Sequence, residues 1–373
     1  MGSLALGGNR DDGRTLVVVF LRGGADGLAL VPAVGDDGYH RARPRIGVAA
    51  RGALRLDHRF GLAPELGELH PWFLAGKLAV VHAVGSDDET RSHFVAQQVM
   101  ERGGASASGG WLGRWLRTRG ESGALGAVST GPEVPDSLRG APAATALGGL
   151  LELEPSSAWS ALCGSLGGLY GRDAELGGAA RDALEAAERL GALRSQGVRA
   201  ENGARYPGPA DGEVARRFGE ELGRVAALIR ARVGLVAACV DLAGWDSHFA
   251  QETVVAPRMR ALARGLAAFA TDLGPLLSRT SVVVMSEFGR RVAENASLGT
   301  DHGRGGVMFV LGGGTPGGLH CRWPGLEEDR LDGPGDLPAV HDYRDVLAAV
   351  LARHGSVSAI AVFPGHPSAP LAV

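Results

Sequence analysis

The chain is short of lysine, cysteine and aromatic residues, and it has no long apolar run. Its 38 basic residues include a single lysine, Lys77, and stand against 41 acidic ones for a formal net charge of −3. A surplus of positive charge gathered on one face, which affinity for nucleic acid or an anionic membrane requires, is therefore missing. The three cysteines, Cys163, Cys239 and Cys321, lie far apart with no Cys-x-x-Cys. An odd number cannot close into an intrachain framework, so each is expected to be a small buried residue. The strongest apolar run near the N-terminus, Leu16 to Leu21, is far too short to span a bilayer. The residues before it show no charged-then-apolar leader pattern. These absences exclude a nucleic-acid binder, a membrane bundle and a disulfide scaffold, and set the expectation of a soluble, cytoplasmic protein.

What is present is ordinary globular material with an excess of glycine. Hydrophobic residues make up 45% and charged residues 21% of 373, enough to bury a sizeable core. Glycine, at 59 residues, is about twice its usual share; with abundant alanine and arginine it reads as the codon bias of a GC-rich genome. Leu16–Leu21 is a continuous β-branched run, as in a strand buried on both faces of a parallel sheet. Leu78–Val84, Leu235–Asp241, Ser281–Met285 and Val307–Leu311 repeat it, each followed by a polar or glycine-bearing turn. Between them Val214, Phe218, Leu222, Val225 and Ile229 fall at helical spacing, as do Met259, Leu262, Leu266, Phe269, Leu273 and Leu276. This alternation predicts a doubly wound α/β fold: one domain over 1–373 with a mostly parallel sheet and helices on both faces. The Gly- and Ala-rich stretch 140–212 has one weak helical pattern, around Ala174 to Leu193. It reads as an insertion, either a lid or a surface excursion.

In open α/β sheets ligands bind at the carboxyl ends of the strands, and here those ends are acidic and histidine-bearing. The turns bring Asp26, His93, Asp246, His248, Glu287, Asp301 and His302 to one edge of the sheet. Carboxylates and imidazoles together are the donor set of zinc, manganese or a similar divalent ion. Asp246-x-His248 alone is equally a capped turn. Asp301-His302 reaches one ion if the chain bends, or two if it stays extended, and Gly299, Gly303 and Gly305 permit either. Ser92 stands where a strand-to-helix turn ends. A hydroxyl there is either a cap or a nucleophile beside an anion held at the helix N-terminus. Arg91 and Arg290 are candidates to clamp an oxyanion. His320 and His341 are alternative late imidazole ligands.

Phe20-Leu-Arg-Gly-Gly-Ala-Asp-Gly27, Arg91-Ser-His-Phe94, Gly244-Trp-Asp-Ser-His248, Ser286-Glu-Phe-Gly-Arg290 and Gly299-Thr-Asp-His-Gly-Arg-Gly305 resemble, in order, the signatures of the bacterial family called domain of unknown function 1501. Trp323-Pro-Gly-Leu326 and Asp342-Tyr-Arg-Asp345 extend the likeness. That family is similar to the alkaline phosphatase and sulfatase superfamily, whose sites hold two divalent metals around a hydroxyl or modified-cysteine nucleophile. The resemblance implies Asp26 as first-strand ligand, Ser92 as nucleophile, and Asp246 with His248 and Asp301 with His302 as ligand pairs. The chain departs from the pattern in separating Asp246 from His248 by one residue, in carrying Val95 where an acid is common, and in lacking the export signal of many members. The expectation is a hydrolase or transferase acting on a phosphate or sulfate ester of a small molecule through two ions of zinc or manganese, with iron less favoured. The alternatives are a metal-stabilised protein that binds without catalysis, and a mononuclear iron or copper redox enzyme. Oligomeric state is not readable.

Overall fold

The apolar β-branched runs pair side by side in a computed structural model of the chain, which describes residues 13–120, 123–148, 177, 184–186, 188–191, 199–355, 358–369 and 371. Thr15–Arg22 forms β1, fully buried up to its last residue. A short ribbon, β2 (Leu54–Arg55) with β3 (Gly61–Leu62), stands apart from the main sheet. The main sheet comprises β4 (Leu78–Gly85), β5 (Ala127–Ser129), β6 (Thr145–Ala146), β7 (Ala237–Ala243), β8 (Thr280–Ser286), β9 (Gly306–Gly312), β10 (Gly318–His320) and β11 (His341–Asp342) around β1. The path runs β10-β4-β9-β8-β1-β7-β5-β6, with β11 added on β4. β1 pairs in parallel with both β7 and β8, so the first strand is the middle of the sheet.

One strand breaks the direction. β9 is antiparallel to both of its neighbours, β4 and β8. Its amino end therefore lies at the edge where the others have their carboxyl ends, which brings the turn carrying Asp301 and His302 to the same edge as those after β1, β7 and β8.

Alternation along β1 divides the core in two. Val17, Val19 and Leu21 face one cluster, with the helices Glu213–Arg230 and Gln251–Leu273. Leu16, Val18 and Phe20 face the other, with the helices Trp111–Arg119 and Tyr343–Arg353. Helices thus cover both faces, as a parallel sheet requires. The expected insertion lies largely outside the described residues, as does Cys163; Cys239 is a buried free thiol and Cys321 a half-buried one. Among the described residues no helix is long and apolar enough to cross a membrane.

β4 carries a bulge between His82 and Val84, with Ala83 at φ 54°. A bulge leaves backbone groups out of the ladder, and here the Ala83 N–H donates to His82 Nδ1 at 2.8 Å. His82 Nε2 then carries the proton and donates to the Val31 carbonyl at 3.0 Å. The ring is fully buried between Phe60 and Trp323, and burial pushes its pKa from 6.5 down to about 4. Unfolded, this imidazole takes up a proton below about 6.5; folded, it resists until about 4, so folding stability falls as pH drops across that window. His82→Gln removes this response: urea unfolding between pH 7 and pH 4.5 is expected to show the wild-type advantage over the variant narrowing steadily. A constant gap contradicts the assignment.

Candidate metal centre

Three imidazoles meet at the carboxyl edge of the sheet, and each is oriented through Nδ1. His93, the first residue of the helix His93–Arg102, points Nδ1 at Glu287 Oε1, 2.8 Å away. His248 Nδ1 lies 3.2 Å from Asp301 Oδ1. His302 Nδ1 lies 2.7 Å from the Arg91 carbonyl. A carbonyl and an ionised carboxylate only accept, so Nδ1 of each ring carries a hydrogen, which in a neutral imidazole leaves the lone pair on Nε2.

Those lone pairs converge. Nε2 of His248 and Nε2 of His302 are 2.9 Å apart. Asp246 Oδ1 lies 3.3 Å from the first and 3.9 Å from the second. Its Oδ2 lies 3.8 Å from His93 Nε2, a buried atom with no hydrogen-bond partner among the described residues. Donor atoms of His93, Asp246 and His302 all fall within 4.8 Å of one another. Two nitrogen lone pairs at 2.9 Å repel unless a proton or cation sits between them. Donors about 2.0–2.2 Å from one ion are themselves about 3.0–3.5 Å apart, so edges of this order suit a single divalent ion.

The electrostatics keep these donors in the form an ion needs. Burial would raise the Asp246 carboxyl, but the hydrogen bond and charge of Arg290 outweigh it and hold the group below its usual range. Burial lowers the His302 imidazole, helped by the charge of Arg290. Burial opposes ionisation of Glu287 as well, yet hydrogen bonds from His93 and Gln97 bring it down to about 2.

Other residues expected at the site are present in different roles. Glu287 does not face the cluster as a donor: Oε1 accepts from His93, Gln97 and the Gly23 N–H, and Oε2 accepts from Ser286. Asp301 orients His248 and is steadied by Asn295 at 3.4 Å and Arg291 at 3.6 Å. Asp26, expected as the first-strand ligand, is buried against Arg43, which gives it two hydrogen bonds of 2.6 and 3.1 Å. Arg290 cannot be an open oxyanion clamp, because its buried guanidinium donates to Asp246 and to the carbonyls of Gly23, Gly24 and Thr300. Arg91 is 39% exposed at its side chain and pairs with the buried Asp336 at 2.6 Å. Ser92 occupies the N-cap position, yet its exposed side chain makes no capping hydrogen bond. His320 and His341 lie on β10 and β11, beside β4 and apart from the cluster.

Gly299 and Gly303 are needed for contact, not for unusual backbone angles. A Cβ on Gly299 would sit 2.3 Å from the His248 carbonyl carbon, and one on Gly303 would sit 2.5 Å from that of Arg290. Neither has a positive φ, so the Gly-Thr-Asp-His-Gly turn is clamped onto its neighbours. Sequence reasoning missed Gln97, Gln251, Asn295 and Asp336, since amides and a lone late aspartate follow no strand-end pattern.

Fold and site together define an α/β protein with a histidine–carboxylate cluster at the carboxyl edge of its sheet. More narrowly, the chain belongs to the family described as protein of unknown function (DUF1501), whose sequence profile matches residues 166–359, just over half of its length. The matched stretch contains Asp246, His248, Glu287, Asp301 and His302, while His93 lies outside it. No curated protein matches the chain.

Replacing Arg290 separates a structural role from a clamp. Arg290→Met leaves three carbonyls and Asp246 without their donor, and a cost of about 3 kcal/mol or more is expected in denaturant unfolding. Unchanged stability would restore the clamp role.

Proposed function

We propose that this protein is a metal-dependent hydrolase or transferase acting on a phosphate or sulfate ester of a small molecule, on an alkaline phosphatase-like fold. The observation that carries the reading is the grouping of His93, His302 and Asp246 donor atoms within 4.8 Å of one another, with His248 Nε2 beside His302 and Asp246 and each ring held by a separate acceptor. His93, His248, His302 and Asp246 would hold the ion, zinc or manganese. We propose one ion rather than two, because Asp26 and Asp301 are engaged elsewhere and the described residues gather one such group. When bound, a divalent ion supplies positive charge that polarises an ester oxygen and makes a nearby hydroxyl more acidic.

The remaining parts belong to the chain. Ser92 lies between Arg91, whose carbonyl holds His302, and His93, which belongs to the cluster. Its hydroxyl has no capping bond, so it is free to act as the nucleophile. The first-turn N–H groups of the ten-residue helix behind it favour an anion. Ser92 Oγ forms a bond to phosphorus or sulfur as the ester bond breaks; the alcohol leaves with a proton, and water later releases the anion. Arg91, half-exposed beside Asp336, is placed to hold a non-reacting oxygen. A cavity of about 670 Å³ starts at the next residues, with Phe94, Val95 and Gln97 in its wall, and offers room for the alcohol. We read the substrate as a small molecule, with no nucleic acid and no membrane involved.

The single donor set also favours a second reading, a mononuclear iron or copper centre with redox chemistry. Elemental analysis with turnover of aryl phosphate and aryl sulfate esters separates the two. The expected result is about one equivalent of zinc or manganese, lost in His93→Ala/His302→Ala. Ser92→Ala keeps the ion and loses at least about a thousandfold in turnover. Iron or copper with visible absorption moves the reading to redox chemistry; an ion held with no turnover in the wild type marks a binding protein.

A further inference from the structure

One buried amide ties both turns of the proposed centre to the turn after the first strand. Gln251 opens the helix Gln251–Leu273 and is 3% exposed. Its Nε2 donates to Asp26 Oδ2 at 2.7 Å. Its Oε1 accepts from Ser247 Oγ at 3.1 Å and from Thr300 Oγ1 at 2.7 Å. Ser247 is the residue between Asp246 and His248, and Thr300 immediately precedes Asp301 and His302. The turns are further joined by the Thr300 N–H, which donates to the Ser247 carbonyl at 3.0 Å.

Asp26 is fixed in its turn. Beyond the two bonds to Asp26, Arg43 donates to the carbonyls of Val292 and Arg291 at 2.7 and 2.9 Å. Asp26 also caps the short helix Gly27–Leu30 through the Leu28 and Ala29 N–H groups. Asp26, Arg43, Ser247, Gln251 and Thr300 are all at most 3% exposed. Such a network holds one arrangement, because every alternative leaves a polar group unpaired without water. Position 251 needs a donor at one end and an acceptor for two hydroxyls at the other, which only an amide supplies at this length. A carboxylate there would face Asp26 directly.

We propose that Gln251, anchored on Asp26, is the positioning residue that sets the spacing between the Asp246–His248 and Asp301–His302 pairs, and through it the affinity of the centre for its ion. The residue expected as the first ligand thus acts one step away from the ion, through an amide. The inference rests on the metal-binding reading above.

The test is cobalt(II) titration of metal-free protein, with Gln251→Met, Thr300→Val and, as a control deep in the same helix, Leu262→Ala. Alongside it, ring ¹⁵N NMR of the metal-free proteins reads the tautomers of His248 and His302. Gln251→Met is expected to bind cobalt roughly tenfold to a hundredfold more weakly, the range for residues that orient ligands from behind. Thr300→Val, which removes one hydroxyl of near-equal shape, should weaken binding in the same direction by less and remains informative if Gln251→Met does not fold. Leu262→Ala should lose stability and keep wild-type affinity. Wild-type affinity in both network variants, or a loss in Leu262→Ala matching theirs, overturns the proposal. If the wild type takes up no cobalt, the metal reading falls. The positioning claim is then decided by the ring signals: a shift from the Nδ1–H form in the network variants but not in Leu262→Ala supports it, and unchanged signals overturn it.

Discussion

Two imidazole nitrogens face one another at 2.9 Å, each with its hydrogen committed to the opposite side of its ring. Left alone, that contact is repulsive, and the surrounding fold is what imposes it. The Arg91 carbonyl fixes His302, Asp301 fixes His248, and Glu287 fixes His93, so relief by flipping any one ring would cost a hydrogen bond. The carboxylates ionise readily because each gathers donors: Glu287 alone receives four. A proton or cation at the meeting point would relieve it, and the guanidinium of Arg290 is held just behind Asp246, too fully bonded to move into it.

The reversed strand β9 makes this assembly possible. In a wholly parallel sheet, the turn leading into a strand lies at the edge away from the site. Because β9 runs against β8 and β4, Gly299–Gly305 arrives at the carboxyl edge, and close glycine contacts press it onto the turns after β7 and β8. The two cores on either side of β1 hold that edge rigidly, and chemistry placed on a rigid edge keeps its geometry better than chemistry on a free loop.

The long β-branched runs made the central strands legible: Leu16–Leu21, Leu78–Val84, Ser281–Met285 and Val307–Leu311 all lie within observed strands. β5, β6 and β10, of two or three residues each, are too short to leave a periodic signal. The direction of β9 was not legible either, since alternation of side chains is the same read both ways. At the candidate site, residue types at strand ends marked the edge where these side chains gather but not their partners. Asp26 meets an arginine seventeen residues later, and nothing in its own turn announces Arg43. Glu287 and Asp301 look like ligands in one dimension, and in three they stand behind the histidines His93 and His248. Gln97 and Gln251 were invisible for a plainer reason: an amide carries no charge pattern and falls equally well on any helix surface.

The contacts that build the centre span most of the chain. Glu287 lies 194 residues from His93, the His302 ring rests on a carbonyl 211 residues earlier, and Gln251 reaches back 225 residues to Asp26. Closing such loops is entropically expensive until the sheet between them exists. The centre therefore cannot form in a partly synthesised or half-folded chain that lacks β9. If the proposed cation binds through all four donors, it would be captured only after the last turn has docked, and its capture would draw the equilibrium toward the finished fold. Occupancy in a cell would then register completed molecules and pass over unfinished ones.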